Sequence, residues 1–297
     1  MKRQLSFFLF LVISCSDIAE AFVDKVIYGI DNRSLISELD EIEFSFALSS
    51  SRAVLAQIPN WRISNFSKES FSVETKDLRN GLNFCERERF LNLPIVSSCT
   101  AFMVGPDLIA TAGHCVKDKY ECKKQTWVLD YDSEMDFVSP NGSAIFSKTK
   151  SYSCAELLSW SENTKLDYAI IRLDRKIEDR IALRLRRDGK TPDSETLMVI
   201  GHPLGMPKMM SANVLIRDNS QTYFFRTNAD TFSGNSGSPV IGIFSGLVEG
   251  ILVRGDEDFV MDLNLGCQRV ARCGDKDCRG ESVQRSTFLP FKYIPKI

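Results

Sequence analysis

Short apolar runs separated by turn residues make up most of the chain after about residue 84. Each run has the length of a strand, and Gly, Pro, Asn or Asp stands between one run and the next. Long stretches with the apolar spacing of an amphipathic helix are missing. The pattern predicts an all-β sandwich or barrel. The runs are TAFMVGPDLIATAG, TWVLDYD, DYAIIRLDR, ETLMVIGHPLG, SANVLIRDN, TYFFRTN, SPVIGIF and VEGILVRG.

A polar, turn-rich gap divides these runs into two sets. The stretch RRDGKTPDSE, residues 186–195, connects two β units of about one hundred residues each. Residues 22–80 are more mixed, since KVIYGIDNR and RAVLAQI have strand length but the acidic SELDEIE lies between them. We interpret residues 22–80 as a pro-segment or as an N-terminal extension wrapped on a main domain that spans residues 81–297.

The first 21 residues are typical of a secretion signal. MKRQ is a short basic start and LSFFLFLVI a short apolar core. Two ends fit: VISC resembles a bacterial lipobox and would make Cys15 a lipid-modified N-terminus, whereas AEA fits cleavage after Ala21. No second long apolar run follows. We therefore expect export to the periplasm or the cell exterior, with membrane attachment only through a lipid on Cys15.

The nine cysteines fit an exported chain. Either end of the signal leaves eight, an even number that allows up to four disulfides in an oxidising compartment. Cys99 begins the strand that leads to Cys115, and we predict that these two pair. The pairing of the other six stays open: Cys85, Cys122, Cys154, Cys267, Cys273 and Cys278.

Charge and ligand spacing argue against several functional classes. A net charge of −2 gives no general affinity for nucleic acid. The last three cysteines lack a CxxC pair, which does not favour zinc. In DKDCRGE, residues 275–281, Arg279 occupies a position where a calcium loop needs a ligand. No HExxH motif occurs, and we predict no metal and no other cofactor.

One serine stands between two glycines, in DTFSGNSGSPV, residues 230–240. Ser236 is therefore a candidate nucleophile, unless the run is only a tight turn. A nucleophilic serine needs a base, and the chain has two histidines. His114, in IATAGHC, follows an apolar strand and has small neighbours that let a substrate approach. His202, between Gly and Pro, is more typical of a structural turn.

A base in turn needs an orienting carboxylate. Asp167 comes just before a strongly apolar strand, where a partly buried acid needs a donor such as an imidazole N–H. Asp174, next to Arg175, is typical of a solvated turn. The candidates follow the order His114, Asp167, Ser236, and no histidine follows the serine, which excludes the Ser–Asp–His order of α/β-hydrolases.

With these motifs the chain resembles the trypsin-like serine peptidases, which have the chymotrypsin fold. TAGHC, DYAIIRL and GNSGSP carry the resemblance, which covers residues 84–260 and is nearest to the secreted bacterial group that includes glutamyl endopeptidases. It implies two six-stranded antiparallel β-barrels, over about residues 81–185 and 190–297, with the active site in the cleft between them.

The resemblance also implies a role for each motif residue. Ser236 would attack the scissile carbonyl of a protein or peptide, His114 would act as base and acid, and Asp167 would hold the imidazole. The amides of Gly234 and Ser236 would form the oxyanion hole. The alternative is a catalytically inactive trypsin-like domain that binds proteins.

One departure from the family concerns activation. Trypsin has an Asp before the nucleophile, which pairs with the freed N-terminal amine, whereas this chain has Asn235 and no IVGG-like start near residues 70–75. An oxyanion hole formed without such cleavage is the simpler hypothesis.

The specificity pocket has two interpretations. Asp230 is either a selector for Lys or Arg, as in trypsin, or a structural turn residue. The pocket histidine of glutamyl endopeptidases is replaced by Leu252, but Arg254 could meet an acidic side chain. Val253, Arg254 and Gly255 would pair with the substrate backbone as an added strand.

Overall fold

The computed structural model describes residues 27–64, 66–132, 142–255, 257–274 and 277–297, and these residues are mainly β-strands. The predicted signal, with Cys15 and Ala21, lies outside them. No helix in the described ranges combines the length and the apolar character that crossing a bilayer requires. The predicted all-β class is confirmed.

The strands, numbered in chain order, are β1 (Ile27–Tyr28), β2 (Arg33–Leu35), β3 (Val54–Pro59), β4 (Ile63–Ser64), β5 (Ser70–Glu74), β6 (Cys99–Gly105), β7 (Leu108–Thr111), β8 (Gln125–Val128), β9 (Ser143–Ser147), β10 (Ser151–Glu162), β11 (Asp167–Leu173), β12 (Leu197–Gly201), β13 (Met209–Val214), β14 (Ile216–Asp218), β15 (Phe224–Thr227), β16 (Pro239–Gly242), β17 (Val248–Arg254), β18 (Phe259–Asp262), β19 (Cys267–Val270), β20 (Arg272–Cys273) and β21 (Glu281–Arg285). The α-helices are α1 (Ser45–Ser51), α2 (Leu78–Leu82) and α3 (Lys119–Cys122). The 3₁₀ turns are Ile36–Glu38, Asn60–Arg62, Gly113–Cys115, Lys148–Lys150, Pro203–Gly205 and Ser286–Phe288.

Six antiparallel strands close the first barrel, in the order β10-β11-β7-β6-β3-β8. Strand β3 pairs with β6 through Val54↔Phe102 and with β8 through Ala56↔Val128. The predicted boundary at residue 81 is therefore wrong, because a strand of the first barrel comes from within residues 22–80. This part of the segment is neither a pro-segment nor a wrapped extension.

The second sheet has eight antiparallel strands, in the order β14-β15-β21-β17-β16-β12-β13-β2. It is the curled counterpart of the second predicted barrel, but with eight strands rather than six. Its edge strand β2 again comes from the N-terminal segment and pairs with β13 through Met209↔Leu35. The predicted range 190–297 therefore lacks one strand of this sheet.

A shared hydrophobic core joins the barrel and the sheet. Phe102 and Ile170 from the barrel pack in one cluster with Ile200, Ile241 and Ile251 from the sheet. Burial of these side chains supplies much of the stability, at about 25 cal/mol per Å² of apolar surface removed from water. The loops that emerge at this junction are held in place by both halves.

Four disulfides link the described cysteines: Cys85–Cys267, Cys99–Cys115, Cys122–Cys154 and Cys273–Cys278. The predicted Cys99–Cys115 pair is present, and all six cysteines whose pairing stayed open have partners. The Cys85–Cys267 bridge joins the segment that follows α2 to the hairpin formed by β18 and β19.

The place of β3 leads to a truncation test. A chain that starts at residue 81 should not fold, because β6 and β8 would lose their common neighbour and leave unpaired backbone groups at both edges. A chain that starts at residue 22 is the control and should fold. Near-ultraviolet circular dichroism and protease resistance distinguish the two. Native-like packing in the shorter chain would contradict the assignment of β3 to the barrel.

Candidate active site

His114 lies in the 3₁₀ turn Gly113–Cys115 that follows β7. The turn packs closely against β10, since a Cβ atom on Gly113 would lie 2.0 Å from the carbonyl oxygen of Ser161. The indole N–H of Trp160 donates to the carbonyl oxygen of Gly113 at 2.8 Å. A glycine before the histidine is therefore required by this packing, which holds the imidazole at the end of a buried strand.

Asp167 binds His114 through both carboxylate oxygens. Strand β11 begins at Asp167 and pairs with β7 through Ala169↔Thr111, which brings its first residue beside the histidine turn. Oδ2 lies 3.0 Å from His114 Nδ1, and Oδ1 accepts the backbone N–H of His114 at 3.1 Å. Asp167 is 2% exposed, whereas the His114 side chain is 21% exposed. This contact fixes the ring and leaves its other edge accessible.

The charge state of Asp167 follows from its surroundings. Burial alone would raise the pKa of this carboxyl group, but the hydrogen bonds and charge of His114, with the charge of Arg254, outweigh burial and lower the pKa. Arg254 Nη2 lies 3.7 Å from Oδ2. Asp167 is therefore a carboxylate at neutral pH, suited to accept an imidazole N–H.

Arg254 lies beside the carboxylate, although the sequence predicted a contact with substrate. Its Nη2 also donates to the carbonyl oxygen of Asn163 at 2.9 Å, and the side chain keeps 38% of its surface exposed. Gln284 is a further neighbour that the sequence did not indicate, because a glutamine on β21, far from Asp167 along the chain, carries no local signal. Its Oε1 accepts the Asp167 N–H at 3.0 Å.

Ser236 lies in the turn between the two halves of the molecule and is 4% exposed. Its carbonyl oxygen accepts the Thr100 N–H at 2.8 Å and lies 3.6 Å from Cys115 Sγ. The residue that follows His114 thus touches the backbone of the serine. Gly237, at φ +90°, packs against the barrel, where a Cβ atom would lie 2.0 Å from the Thr100 carbonyl oxygen.

Gly234 has a backbone conformation that favours glycine. Its φ is +93°, and a Cβ atom there would lie 2.5 Å from the His202 carbonyl oxygen. Its carbonyl oxygen accepts Thr100 Oγ1–H at 2.8 Å, and the carbonyl before it, of Ser233, accepts the Leu204 N–H at 2.5 Å. With both carbonyls held, the Gly234 amide meets no carbonyl acceptor within the described part of the chain.

His202 has a structural environment, as its position between Gly and Pro indicated. It is fully buried, its Nδ1 lies 3.1 Å from the Met206 carbonyl oxygen, and its ring stacks on Tyr131 with centroids 5.4 Å apart. Burial and the nearby charge of Lys208 lower its pKa to about 3. The ring is therefore neutral and serves packing.

Asp230 lines a cavity of only about 10 Å³, too small for a lysine or arginine side chain, which argues against its interpretation as a selector. The side chain is 1% exposed, Oδ1 accepts the Tyr28 N–H at 2.7 Å, and Oδ2 accepts the Asn32 N–H at 2.9 Å. Burial raises its pKa to about 6, although these two hydrogen bonds act in the opposite direction. The structural interpretation is the one that fits, with the N-terminal segment as the partner.

The remaining predicted binding residues lie on β17 or just after it. Val253 has a fully buried side chain, so it offers only its backbone. The carbonyl oxygen of Gly255 accepts a hydrogen bond from Arg279 Nη2. Pairing of this strand with a substrate backbone stays a prediction.

One group of side chains has the composition of a metal site, namely Cys99, His114 and Cys115. The two cysteines form a disulfide, so neither offers the thiolate that zinc requires. Among the residues described by the structure, no other set of three comes close enough.

Comparisons with known proteins bear on this arrangement. A family model, the trypsin-like peptidase domain, matches residues 99–251, just over half of the chain. The glutamyl endopeptidase of Bacillus licheniformis is 30% identical over 154 residues, which cover 49% of this chain and 45% of that relative. The match thus spans less than half of the relative's length. The structure of Vibrio cholerae VesB protease, 16% identical, has a TM-score of 0.51 and aligns over 89% of this chain and 66% of that one. This likeness supports the two-barrel fold.

The buried carboxyl group of Asp230 leads to a prediction about stability and pH. Its pKa is about 6 in the folded protein and 3.8 as the ordinary value, so between these values the folded state binds more protons. Rising pH then destabilises the fold through this group, by about 3 kcal/mol in total. Asp230→Asn does not titrate, so its free energy of unfolding should improve relative to wild type as pH rises from 4 to 7.

Guanidinium unfolding at several pH values measures this difference. Asp174→Asn, at an exposed turn, controls for the loss of one charge. If the wild-type and Asp230→Asn proteins keep a constant difference across the range, the carboxyl group is not perturbed in the way that its burial indicates.

Proposed function

The chain belongs to the trypsin-like peptidase family, and from this premise we propose that it is an exported serine endopeptidase whose catalytic residues are His114, Asp167 and Ser236. The observation that carries the proposal is the two-point contact of buried Asp167 with the ring and the amide of His114. Cys115, next to that histidine, touches the backbone of Ser236. The three residue types thus occur in the order and the surroundings that acyl transfer needs.

The reaction follows from the chemistry of these groups. Ser236 Oγ attacks the carbonyl carbon of a peptide bond while His114 Nε2 takes the hydroxyl proton. Asp167 accepts the Nδ1–H, which fixes the tautomer and stabilises the imidazolium. His114 then protonates the departing amine. Water next attacks the acyl-enzyme while His114 takes a proton from the water, and His114 returns a proton to Ser236 Oγ as the acid product leaves.

Negative charge develops on the carbonyl oxygen during each attack. The amides of Gly234 and Ser236 are proposed as its hydrogen-bond donors. The fixed carbonyls on both sides of the Gly234 nitrogen support this role, because they hold the donor in one orientation before substrate arrives. The site then needs no separate step to form its anion hole.

Substrates are proposed to be proteins or peptides that pair with the backbone of Val253, Arg254 and Gly255. The relative named above is a glutamyl endopeptidase, but Leu252 stands where that group has its pocket histidine. Arg254 is the last residue of this strand, and its side chain, 38% exposed, is the proposed contact for an acidic group of a substrate. Nucleic acid is not a proposed partner.

Export is proposed from the signal-like start and from the four disulfides, which form in oxidising compartments. Cleavage after Ala21 gives a released protein, whereas lipid modification of Cys15 gives an anchored one. The processed chain would begin at residue 22 in the first case and at residue 15 in the second, in both cases before β1, which is fixed to β20 by backbone pairing.

A serine-reactive fluorophosphonate probe tests the proposed triad. Wild-type protein should be labelled, and Ser236→Ala and His114→Ala should not, because the first lacks the nucleophile and the second lacks the base. Asp167→Asn should turn over p-nitrophenyl acetate about ten-thousandfold more slowly. Ser220→Ala, at an exposed turn, should be labelled normally. Labelling that persists in Ser236→Ala would contradict the assignment of Ser236 as the nucleophile.

The oxyanion role of Gly234 can be separated from general backbone strain. Gly234→Ala should lower kcat for p-nitrophenyl acetate at least about a hundredfold, because the added Cβ atom displaces the donor amide. Gly189→Ala is the matched control, since Gly189 also has positive φ (+69°) but nothing lies within 4 Å of an added Cβ atom. Equal losses in both variants would show that strain alone is responsible.

A further inference from the structure

A cavity of about 800 Å³ opens directly beside Gly234. One wall comes from the segment between β3 and β6, which contributes Trp61, Ile63 and Leu82. Phe259, at the start of β18, also lines the cavity. The size is within the range of pockets that bind small molecules or side chains. Because Gly234 also lines it, the cavity is continuous with the proposed anion hole.

The segment between β3 and β6 and the hairpin of β18 and β19, which contributes Phe259, are tied together by covalent and backbone contacts. The Cys85–Cys267 disulfide joins them, and the Cys85 N–H donates to the carbonyl oxygen of Gln268 at 2.9 Å. The Phe84 ring meets the Phe259 ring edge to face, with centroids 4.8 Å apart. These links hold the two segments that line the cavity at a fixed separation, and a cavity of fixed width can select a side chain by its shape.

The surface that the cavity offers is mainly apolar. Trp61 is 83% exposed, an unusual position for the largest apolar side chain, and exposed tryptophans are frequent anchors of binding sites. Arg62 is occupied by the carbonyl oxygens of Ile95, Val96 and Glu74. The exposed side chains of Glu74 and Lys76 have opposite charges, so neither sign of ligand is favoured.

The position of the cavity indicates which part of a substrate would enter it. Strand β17, the proposed partner of the acyl side, contacts the nucleophile turn through Gly237 N–H and the Leu252 carbonyl oxygen, 2.8 Å apart, and contributes no residue to the cavity. Ser97 and Ser98, just before the Cys99–Cys115 bridge, line it instead. The cavity therefore adjoins Gly234 on a side that β17 does not line, which in the proposed binding mode is the side of the leaving amine.

We propose that this cavity selects substrates with an apolar side chain on the leaving-group side of the cleaved bond, and that Trp61 is its main contact. The proposal rests on the proposed peptidase function and deepens it, because it names the class of sequence that follows the scissile bond. Burial of a leucine-sized side chain against Trp61, Ile63 and Phe259 would supply the discrimination.

Acyl transfer to added amines tests the proposal without knowledge of the acyl-side specificity. p-Nitrophenyl acetate acetylates Ser236 and releases p-nitrophenol. An amino-acid amide that occupies the leaving-group side then attacks the ester: a C–N bond forms and the bond from the acyl carbon to Oγ breaks. The amine gives one proton to His114, which returns one proton to Oγ. Water competes for the same acetyl-enzyme.

The measured quantity is the ratio of N-acetyl amide to acetate, determined by mass spectrometry. For wild type this ratio should be about tenfold higher with leucinamide than with glycinamide at equal concentration. Trp61→Ala should lower that preference about fivefold. Phe244→Ala is the matched control, because Phe244 is also an exposed aromatic residue (77%) but lies outside the cavity, and its preference should equal that of wild type.

Each outcome bears on one of the two proposals. Acetylation and hydrolysis with no preference for leucinamide, equal capture of lysinamide, or a preference unchanged in Trp61→Ala would each overturn the cavity proposal and leave the peptidase function standing. Absence of any acetylation of Ser236 would overturn the proposed function and the cavity proposal with it.

Discussion

The site depends on the two hydrogen bonds that the buried carboxylate of Asp167 accepts from the ring and the backbone amide of His114. Asp167 can occupy its buried position only as long as the histidine ring, the histidine amide and Arg254 compensate its charge. The ring, in turn, keeps one orientation because the turn that carries it packs on β10 at a glycine. Loss of any of these partners leaves a buried charge without compensation, so local stability and the proposed proton transfer depend on the same few contacts.

Local signals explain how much of this molecule could be predicted from its sequence. Residues close together in the sequence determine the strand pattern, the neighbourhoods of His114 and Ser236 and the Cys99–Cys115 pair. The places of β2 and β3 are not, because a strand's partner in an antiparallel sheet leaves no mark on the strand itself. Asp230 shows the same limit, since its partners Tyr28 and Asn32 lie 202 and 198 residues away.

The N-terminal segment is therefore an integral part of the barrel and the second sheet rather than a removable extension. It supplies β3 to the barrel and β2 to the second sheet. Two of its backbone amides donate to Asp230, which precedes the turn that carries Ser236. Arg33 adds a further link, since its guanidinium lies 4.4 Å from the centroid of the Phe232 ring and pairs with Asp31. Because β2 pairs with β13, the N-terminal segment cannot take its final place until residues up to Val214 are available.

The Cys85–Cys267 bridge affects how cleavage of the chain would be detected. It closes a loop with a sequence separation of 182 residues, more than half of the chain. A single broken peptide bond anywhere inside that loop leaves both fragments attached through sulfur, with the fold still to hold them in register. A proteolytic cut inside the loop would therefore leave a single band on a non-reducing gel and would give two fragments only after reduction with thiol.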